Sequence, residues 1–168
     1  MSETITIRML DTADAAAFQA FRLCALLDRP EAFGSSYDEE KDEPLGEVAQ
    51  RLGARPNAVF GAFAEGQLVG IAGFARNPRL KQKHKGLLWG VHVDRQWRGQ
   101  GLGRKLTLAV IEHARQHVDT LHATVMAENV TARNLYLALG FVVFGVEKDA
   151  LREGGRSYTD ELLRLDFQ

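Results

Sequence analysis

A run of alternate glycines joins two segments of opposite periodicity. Gly86 to Val93 is a short apolar run, whereas Leu102 to His117 repeats Leu106, Ala109, Val110 and Ala114 at helical spacing. Between them lies Arg98-Gly99-Gln100-Gly101-Leu102-Gly103-Arg104-Lys105. A second strand-like run, Leu121 to Met126, follows the helix. Strand, helix and strand in this order form a right-handed crossover, so the two strands are expected to be parallel. Glycines in the connection let the backbone turn tightly and meet a ligand with no Cβ in the way. The free N–H groups and the dipole at the helix start suit a phosphate or pyrophosphate. Arg98, Arg104 and Lys105 add positive charge beside them.

The flanking pattern extends this unit into a mixed sheet. Ile5, Ile7 and Met9 alternate with polar residues as in a first strand. Asp11 or Thr12 then caps a helix running to about Leu27, with Phe18, Phe21, Ala25 and Leu26 toward the core and Pro30 beyond its end. The segment from Tyr37 to Glu47 is acidic, with Lys41 its one cation, and a short helix follows Pro44 and stops at Gly53. Ala58 to Ala64 and Gln67 to Phe74 read as a hairpin turned at Glu65-Gly66. Arg76 to Lys85 reads as a basic loop. Thr131 to Leu139 reads as a helix with Gly140 at its left-handed stop. Two final strands, Phe141 to Val146 and Ser157 to Leu165, are separated by Glu153-Gly154-Gly155. The expected class is therefore α/β (α+β): one mixed sheet with antiparallel hairpins, one parallel pair and helices on both faces.

Composition excludes several alternatives. At 168 residues the chain is expected to be a single domain, residues 1–168. A net charge of −1 lacks the basic excess of a dedicated nucleic-acid binder. The single cysteine, Cys24, excludes an internal disulfide or a Cys-based zinc cage, and its apolar helix suggests a core position. No run reaches the roughly 18 apolar residues of a membrane span. Met1-Ser2-Glu3-Thr4 lacks a signal peptide's basic and apolar regions, so a cytoplasmic location is expected. His113 and His117 are four apart on a helix, a metal-compatible spacing. No third ligand accompanies them, so no metal is expected.

Two standard phosphate loops fail against the glycine run. A P-loop needs GxxxxGK[ST], and no glycine here precedes a lysine in that frame. A dinucleotide fingerprint needs GxGxxG, but Arg104 stands at the third glycine and the first glycine comes six residues after Val93. Glu128, after the next strand, is the one residue placed as a ribose-binding acid would be.

The stretch Val91-His92-Val93-Asp94-Arg95-Gln96-Trp97-Arg98-Gly99-Gln100-Gly101-Leu102-Gly103 resembles the acetyl-CoA signature of the GNAT N-acetyltransferase superfamily, in which R/Q-x-x-G-x-G/A wraps the CoA pyrophosphate. Asn129-Val130-Thr131-Ala132-Arg133-Asn134-Leu135-Tyr136, ending in Leu139-Gly140-Phe141, is similar to the family's N-x-x-A-x-x-L-Y-x-x-x-G-F segment. The resemblance implies a sheet splayed between residues 86–93 and 121–126, with pantetheine bonded to the backbone of Val91 and Val93 like an added strand. It further implies that Arg98, Gly99, Gln100, Gly101, Leu102, Gly103 and Arg104 hold the pyrophosphate. The implied activity is acetyl transfer from acetyl-CoA to a primary amine, small molecule or peptide, by direct attack in a ternary complex. A homodimer is compatible with it. The alternatives are a non-catalytic acyl-CoA-binding module on the same fold and, on the dinucleotide reading, an oxidoreductase.

Asn129 and Tyr136 are seven apart, so they return to within about 20° on a helix, with small Ala132 between them. By residue type alone they read as a helix cap and a core aromatic. The resemblance implies instead an asparagine at the pantetheine amide and a catalytic Tyr136 directed at the CoA sulfur. A base is harder to find. An amine of pKa ~10.4 is neutral in about one part in 2,500 at pH 7, a deficit of roughly 4.6 kcal/mol. Residues 86–93 carry no carboxylate, and His92 is their one titratable group, expected by alternation on the face of Leu88 and Gly90. Glu128, Glu147 or an acid near Tyr37, acting through water, are the other options. The acids of 38–47 read either as a solvated segment or as a wall attracting a cationic acceptor.

Overall fold

Among the described residues seven segments form strands: β1 (Ile5–Met9), β2 (Ala58–Ala64), β3 (Gln67–Arg76), β4 (Lys85–Val93), β5 (Thr120–Met126), β6 (Val142–Glu153) and β7 (Arg156–Asp166). In the computed structural model, which describes residues 4–168, they make one sheet in the order β1-β2-β3-β4-β5-β7-β6. Only β4 and β5 pair in parallel; the other neighbours are antiparallel. The parallel pair is joined by α4 (Leu102–Arg115), as the crossover pattern requires. The sheet is thus not the doubly wound parallel sheet a dinucleotide fold needs.

Local chemistry sets the remaining boundaries. Asp11 and Asp14 form a reciprocal capping box, and α1 (Ala15–Asp28) follows it. A second capping box, Ser36 with Glu39, starts α2 (Tyr37–Glu40), a helix the acidic composition had hidden. Pro44 precedes α3 (Leu45–Leu52). Asn129 caps α5 (Val130–Ala138), and Gly140 beyond it has φ +104°. Strand β6 runs on to Glu153, well beyond its sequence-based end at Val146, while β7 exceeds its bounds by one residue at each end.

The two sheet faces bury different sets. On one, α1 and α3 cover Leu10, Phe18, Val48, Leu52, Val59 and Ile71. On the other, α4 and α5 cover Phe74, Leu106, Val110, Leu121, Ala123 and Leu163 among others. Phe18, Ala25 and Leu26 are buried as expected, while Phe21 is only half-buried. Cys24 is exposed, not in the core, because it lies on the outer side of α1 from Ala25 and Leu26.

The sheet opens in the middle. Pairing between β4 and β5 covers only Lys85–Leu87 against Thr120–His122. Beyond it β4 stays with β3 as far as Val93 opposite Gly70, and β5 stays with β7 as far as Met126 opposite Asp160. A bulge in β4 accompanies the opening. Trp89 faces Gly73 and His92 faces Ile71, so Gly90 and Val91 together oppose Ala72. Gly90 supplies the left-handed conformation, φ +66°, that such a bulge asks for.

Candidate functional site

The opened sheet forms a cavity of about 560 Å³ between β4 and β5. Its floor is β4 from Leu88 to Val93 and the end of β5, its phosphate-loop side is residues 97–104, and its far wall is α5. Arg29, Ala32 and Phe33, from the segment after α1, close it above. Val91, Val93, Arg98, Gly99, Gly101, Leu102, Gly103, Arg104, Asn129 and Tyr136 all line it; Gln100 is exposed and does not.

Main-chain groups along β4 alternate in direction. The Asp94 N–H donates to Val69 O on β3 at 2.8 Å, so the N–H and C=O of Val93 point the other way, into the split. The Val93 carbonyl already accepts from Arg98 Nε at 3.0 Å. What Val93 leaves for an added strand is its N–H.

The loop keeps its donors free. Gly99 and Gly101 have φ +79° and +80°, and among the described residues neither they nor Gln100 donate an N–H to a carbonyl. A Cβ at either glycine would meet nothing within 4 Å, so their backbone, not crowding, demands glycine. Gly103 differs. It lies in the first turn of α4, and a Cβ there would sit 3.7 Å from Leu135, an ordinary contact. The Arg98 guanidinium is turned away from the loop: Nη2 donates to Asp28 Oδ2 at 2.8 Å. Asp28 also accepts from Arg95 at 2.7 Å, and these two arginines hold its carboxyl below the usual range. Arg104 is the exposed cation left at the mouth.

On α5 the single face holds. Asn129, Ala132 and Tyr136 line the cavity together; Leu135, expected in the core, packs against it and also reaches the cavity, while Leu139 packs toward the core alone. Asn129 Oδ1 accepts from the Ala132 N–H at 3.2 Å, so its oxygen is the helix cap and only its Nδ2 is left for another partner. Tyr136 is 6% exposed, its ring 5.7 Å from that of Phe141. Burial pushes its phenol up to about 12, so it is a neutral donor at any ordinary pH.

His92 does not share a face with Leu88. The bulge at Gly90 inserts a residue and reverses the alternation, turning His92 between Phe21 and Phe33, both with centroids 5.8 Å away. Burial and then the Arg98 charge lower it to about 4. Its Nε2 lies 3.6 Å from Asp28 Oδ2, but a neutral imidazole makes no ion pair there. Four of the six acids offered as a wall are engaged elsewhere. Glu40 pairs with Arg22, Glu43 with Arg51 and Asp38 with Lys41, and Glu39 caps Ser36. Glu128 pairs with Arg156, and Glu147 faces Asp160 across the β6–β7 hairpin, where burial and Glu147 raise the Asp160 carboxyl. Among the described residues no carboxylate lines the cavity. The basic residues Arg79, Lys81, Lys83 and His84 lie outside it too. The His113–His117 pair is partly structural, His113 Nε2 lying 2.7 Å from the Pro56 carbonyl.

The residues that sequence reasoning did not single out are Asp28, Arg29, Phe33 and Trp89. Asp28 and Arg29 carry no motif; Trp89-Gly90 inside an apolar strand was the one visible sign of an interrupted edge.

The site thus sets an unpaired strand edge beside a left-handed glycine loop with free N–H groups, within a mixed α/β fold. Residues 21–141 match the acetyltransferase (GNAT) family, and the chain belongs to it. It is an N-acetyltransferase by that membership. It is 34% identical over 146 residues to the aminoglycoside N(6')-acetyltransferase type 1 of Stenotrophomonas maltophilia, covering 81% of this chain and 85% of that one. It is 30% identical over 164 residues to the N-alpha-acetyltransferase RimI of Mycobacterium tuberculosis, covering 94% and 92%. Among solved structures, a ribosomal-protein-alanine N-acetyltransferase from Brucella melitensis superposes with a TM-score of 0.79 at 29% identity over 96% of this chain and 99% of that one. The fold is also that of yncA of Salmonella typhimurium, solved with acetyl-CoA, at a TM-score of 0.81 and 23% identity over 98% and 95%.

Proposed function

We propose that the split between β4 and β5 takes acetyl-CoA and that its acetyl group passes directly to a primary amine in a ternary complex. The observation that carries this is the convergence on one cavity of three unmet needs: an unpaired strand edge at residues 88–93, free N–H groups at residues 99–101, and the buried phenol of Tyr136. An extended diamide arm satisfies the edge as a neighbouring strand would. The loop and the first turn of α4 suit the pyrophosphate. Bound acetyl-CoA supplies the activated acyl group; the protein supplies alignment and a hydrogen-bond donor.

The order of groups fixes the direction of the arm. It starts at the loop after Val93 and runs back along β4 past Val91, so the thioester falls near Gly90 and Trp89. Tyr136 donates a hydrogen bond to the sulfur as negative charge develops there. With no carboxylate in the lining, the amine enters neutral or gives its proton to water, and His92 at about 4 is too weak a base to take it. Relatives are named as an aminoglycoside N(6')-acetyltransferase, a probable spermine N(1)-acetyltransferase and an N-alpha-acetyltransferase, so the acceptor belongs among primary amines of those kinds.

Thermal unfolding with acetyl-CoA, with NAD(P) and without ligand tests the reading, followed by thiol release with each amine class. At a hundredfold excess over Kd, acetyl-CoA adds about 2.7 kcal/mol. A shift with NAD(P) and none with millimolar acetyl-CoA would refute it. A shift without thiol release for any amine would leave a binding module.

A further inference from the structure

One side chain outside the cavity touches three residues that line it. Arg22 on α1 is 8% exposed. Its Nε and Nη2 donate to the two carboxylate oxygens of Glu40 on α2, at 3.1 and 3.0 Å. Its guanidinium carbon stands 4.9 Å from the Phe33 ring centroid and 5.7 Å from that of Trp89. The remaining nitrogen, Nη1, is buried with no hydrogen-bond partner among the described residues, and lies 3.4 Å from where a Cβ on Gly90 would stand. Phe33, Trp89 and Gly90 all line the cavity. Gln19, one turn earlier, reinforces the same tie: its Nε2 donates to the Glu40 carbonyl at 3.0 Å.

Stability alone does not account for this arrangement. A buried ion pair is often no better than packed apolar side chains, and an unmet donor on a buried cation is a further penalty. What a guanidinium provides is fixed geometry: a rigid plane that pairs bidentately at one edge and stacks against aromatic faces. Here that plane pairs with Glu40, stacks beside Phe33 and sits next to the bulge at Gly90, filling the space between them. On the proposed function, the bulge is where the thioester ends, and Phe33 and Trp89 are the surfaces an incoming amine meets.

We infer that Arg22 is a positioning residue for the acceptor amine, setting the Phe33–Trp89 wall against the bulged strand at the reacting end of the groove. It acts through those residues and touches neither substrate. Its effect therefore falls on the acceptor and spares the nucleotide end, where the loop and Arg104 are built on other elements.

The test is Arg22→Lys, which keeps a charge opposite Glu40 but loses the plane and Nη1. The acceptor is the fastest of spermine, an aminoglycoside and a peptide with a free α-amine. The expected result is an acetyl-CoA Kd within about twofold of wild type and an acceptor kcat/KM at least tenfold lower, mostly through KM. Val48→Ala serves as the control; Val48 is fully buried in the core between α3 and the same sheet face and does not itself line the cavity. It is expected to lower Tm while leaving the acceptor KM unchanged. An unchanged acceptor KM in folded Arg22→Lys overturns the inference. So does an equal rise in Val48→Ala, or a loss confined to acetyl-CoA binding. Should Arg22→Lys fail to fold, Glu40→Gln weakens the same tie and is read by the same criteria. Failure of wild type to bind acetyl-CoA would instead count against the proposed function.

Discussion

Replacing Tyr136 by Phe removes one oxygen from a site that is otherwise left packed. The ring stays against Phe141, so stability should change by less than about 1 kcal/mol. The magnitude of the catalytic effect follows from the burial of the phenol. A phenol held at about 12 is a far weaker acid than a thiol of ~8.5, and complete proton transfer to the leaving thiolate is uphill by roughly 5 kcal/mol. On the proposed function, Tyr136 is therefore expected to act as a hydrogen-bond donor, not as an acid that gives up its proton in a separate step. A hydrogen bond to a charged group in a buried site contributes about 1.5–3 kcal/mol, which corresponds to a kcat loss of roughly 10- to 150-fold. Because the bond strengthens only as charge develops, the acetyl-CoA Kd should stay within about twofold. Steady-state kinetics with the best acceptor and direct titration of acetyl-CoA measure the two quantities separately. The pH profile adds a sign. A donor titrating near 12 is lost only as pH rises through that value, so wild type should show no alkaline loss of kcat from this group below about pH 11. An unchanged kcat in Tyr136→Phe, with chemistry shown to be rate-limiting, would refute the reasoning.

Three further outcomes are expected. Gly103→Ala should fold with stability equal to wild type or up to about 1 kcal/mol higher, since the new Cβ meets only Leu135 at 3.7 Å, yet should weaken acetyl-CoA by tenfold or more in calorimetric titration. Gly101→Val should lose both affinity and about 1–2 kcal/mol of stability by chemical denaturation, because φ +80° strains any β-branched residue. His92 is lowered to about 4 when folded, so its contribution is present above its unfolded value of ~6.5 and is lost as pH falls toward 4; comparison with His92→Leu should reveal up to about 3 kcal/mol of pH-dependent stability in that window. Equal pH slopes in the two proteins would show that His92 is not held neutral by burial.

The strand–glycine–helix–strand unit was legible because each part has its own pattern: an apolar run, alternate glycines, then a 3.6-residue period. Tyr136, Ala132 and Asn129 were legible for the same reason, sharing a helical face that the cavity uses. The misplacement of His92 came from counting alternation through Gly90, which a bulge interrupts; a bulge is set by the register of two strands and leaves only a glycine as its trace. Arg98 was read as a phosphate cation, yet Asp28, 70 residues earlier, holds its guanidinium at 2.8 Å. No local pattern encodes such a distant pairing. The acids of 38–47 looked like a free charged segment for a similar reason. Arg22 and Arg51, the partners of Glu40 and Glu43, lie on other helices, and the Ser36–Glu39 cap that orders the segment is masked by the surrounding charge.

The central claim is that the opened edge of β4 and the loop after it are where acetyl-CoA lies. Amide hydrogen exchange with and without saturating acetyl-CoA addresses it residue by residue. The N–H groups of Gly99, Gln100 and Gly101 have no carbonyl partner among the described residues, and the β4 amides beyond Leu87 that face the split are unpaired with β5, so these amides should exchange fast in the free protein. Binding should slow exchange at residues 91–93, 99–104 and 129–136 together, with residues 76–85 unaffected. Unchanged exchange at 91–93 and 99–104 under saturating acetyl-CoA, or protection confined to the α1 surface around Cys24, would contradict the account.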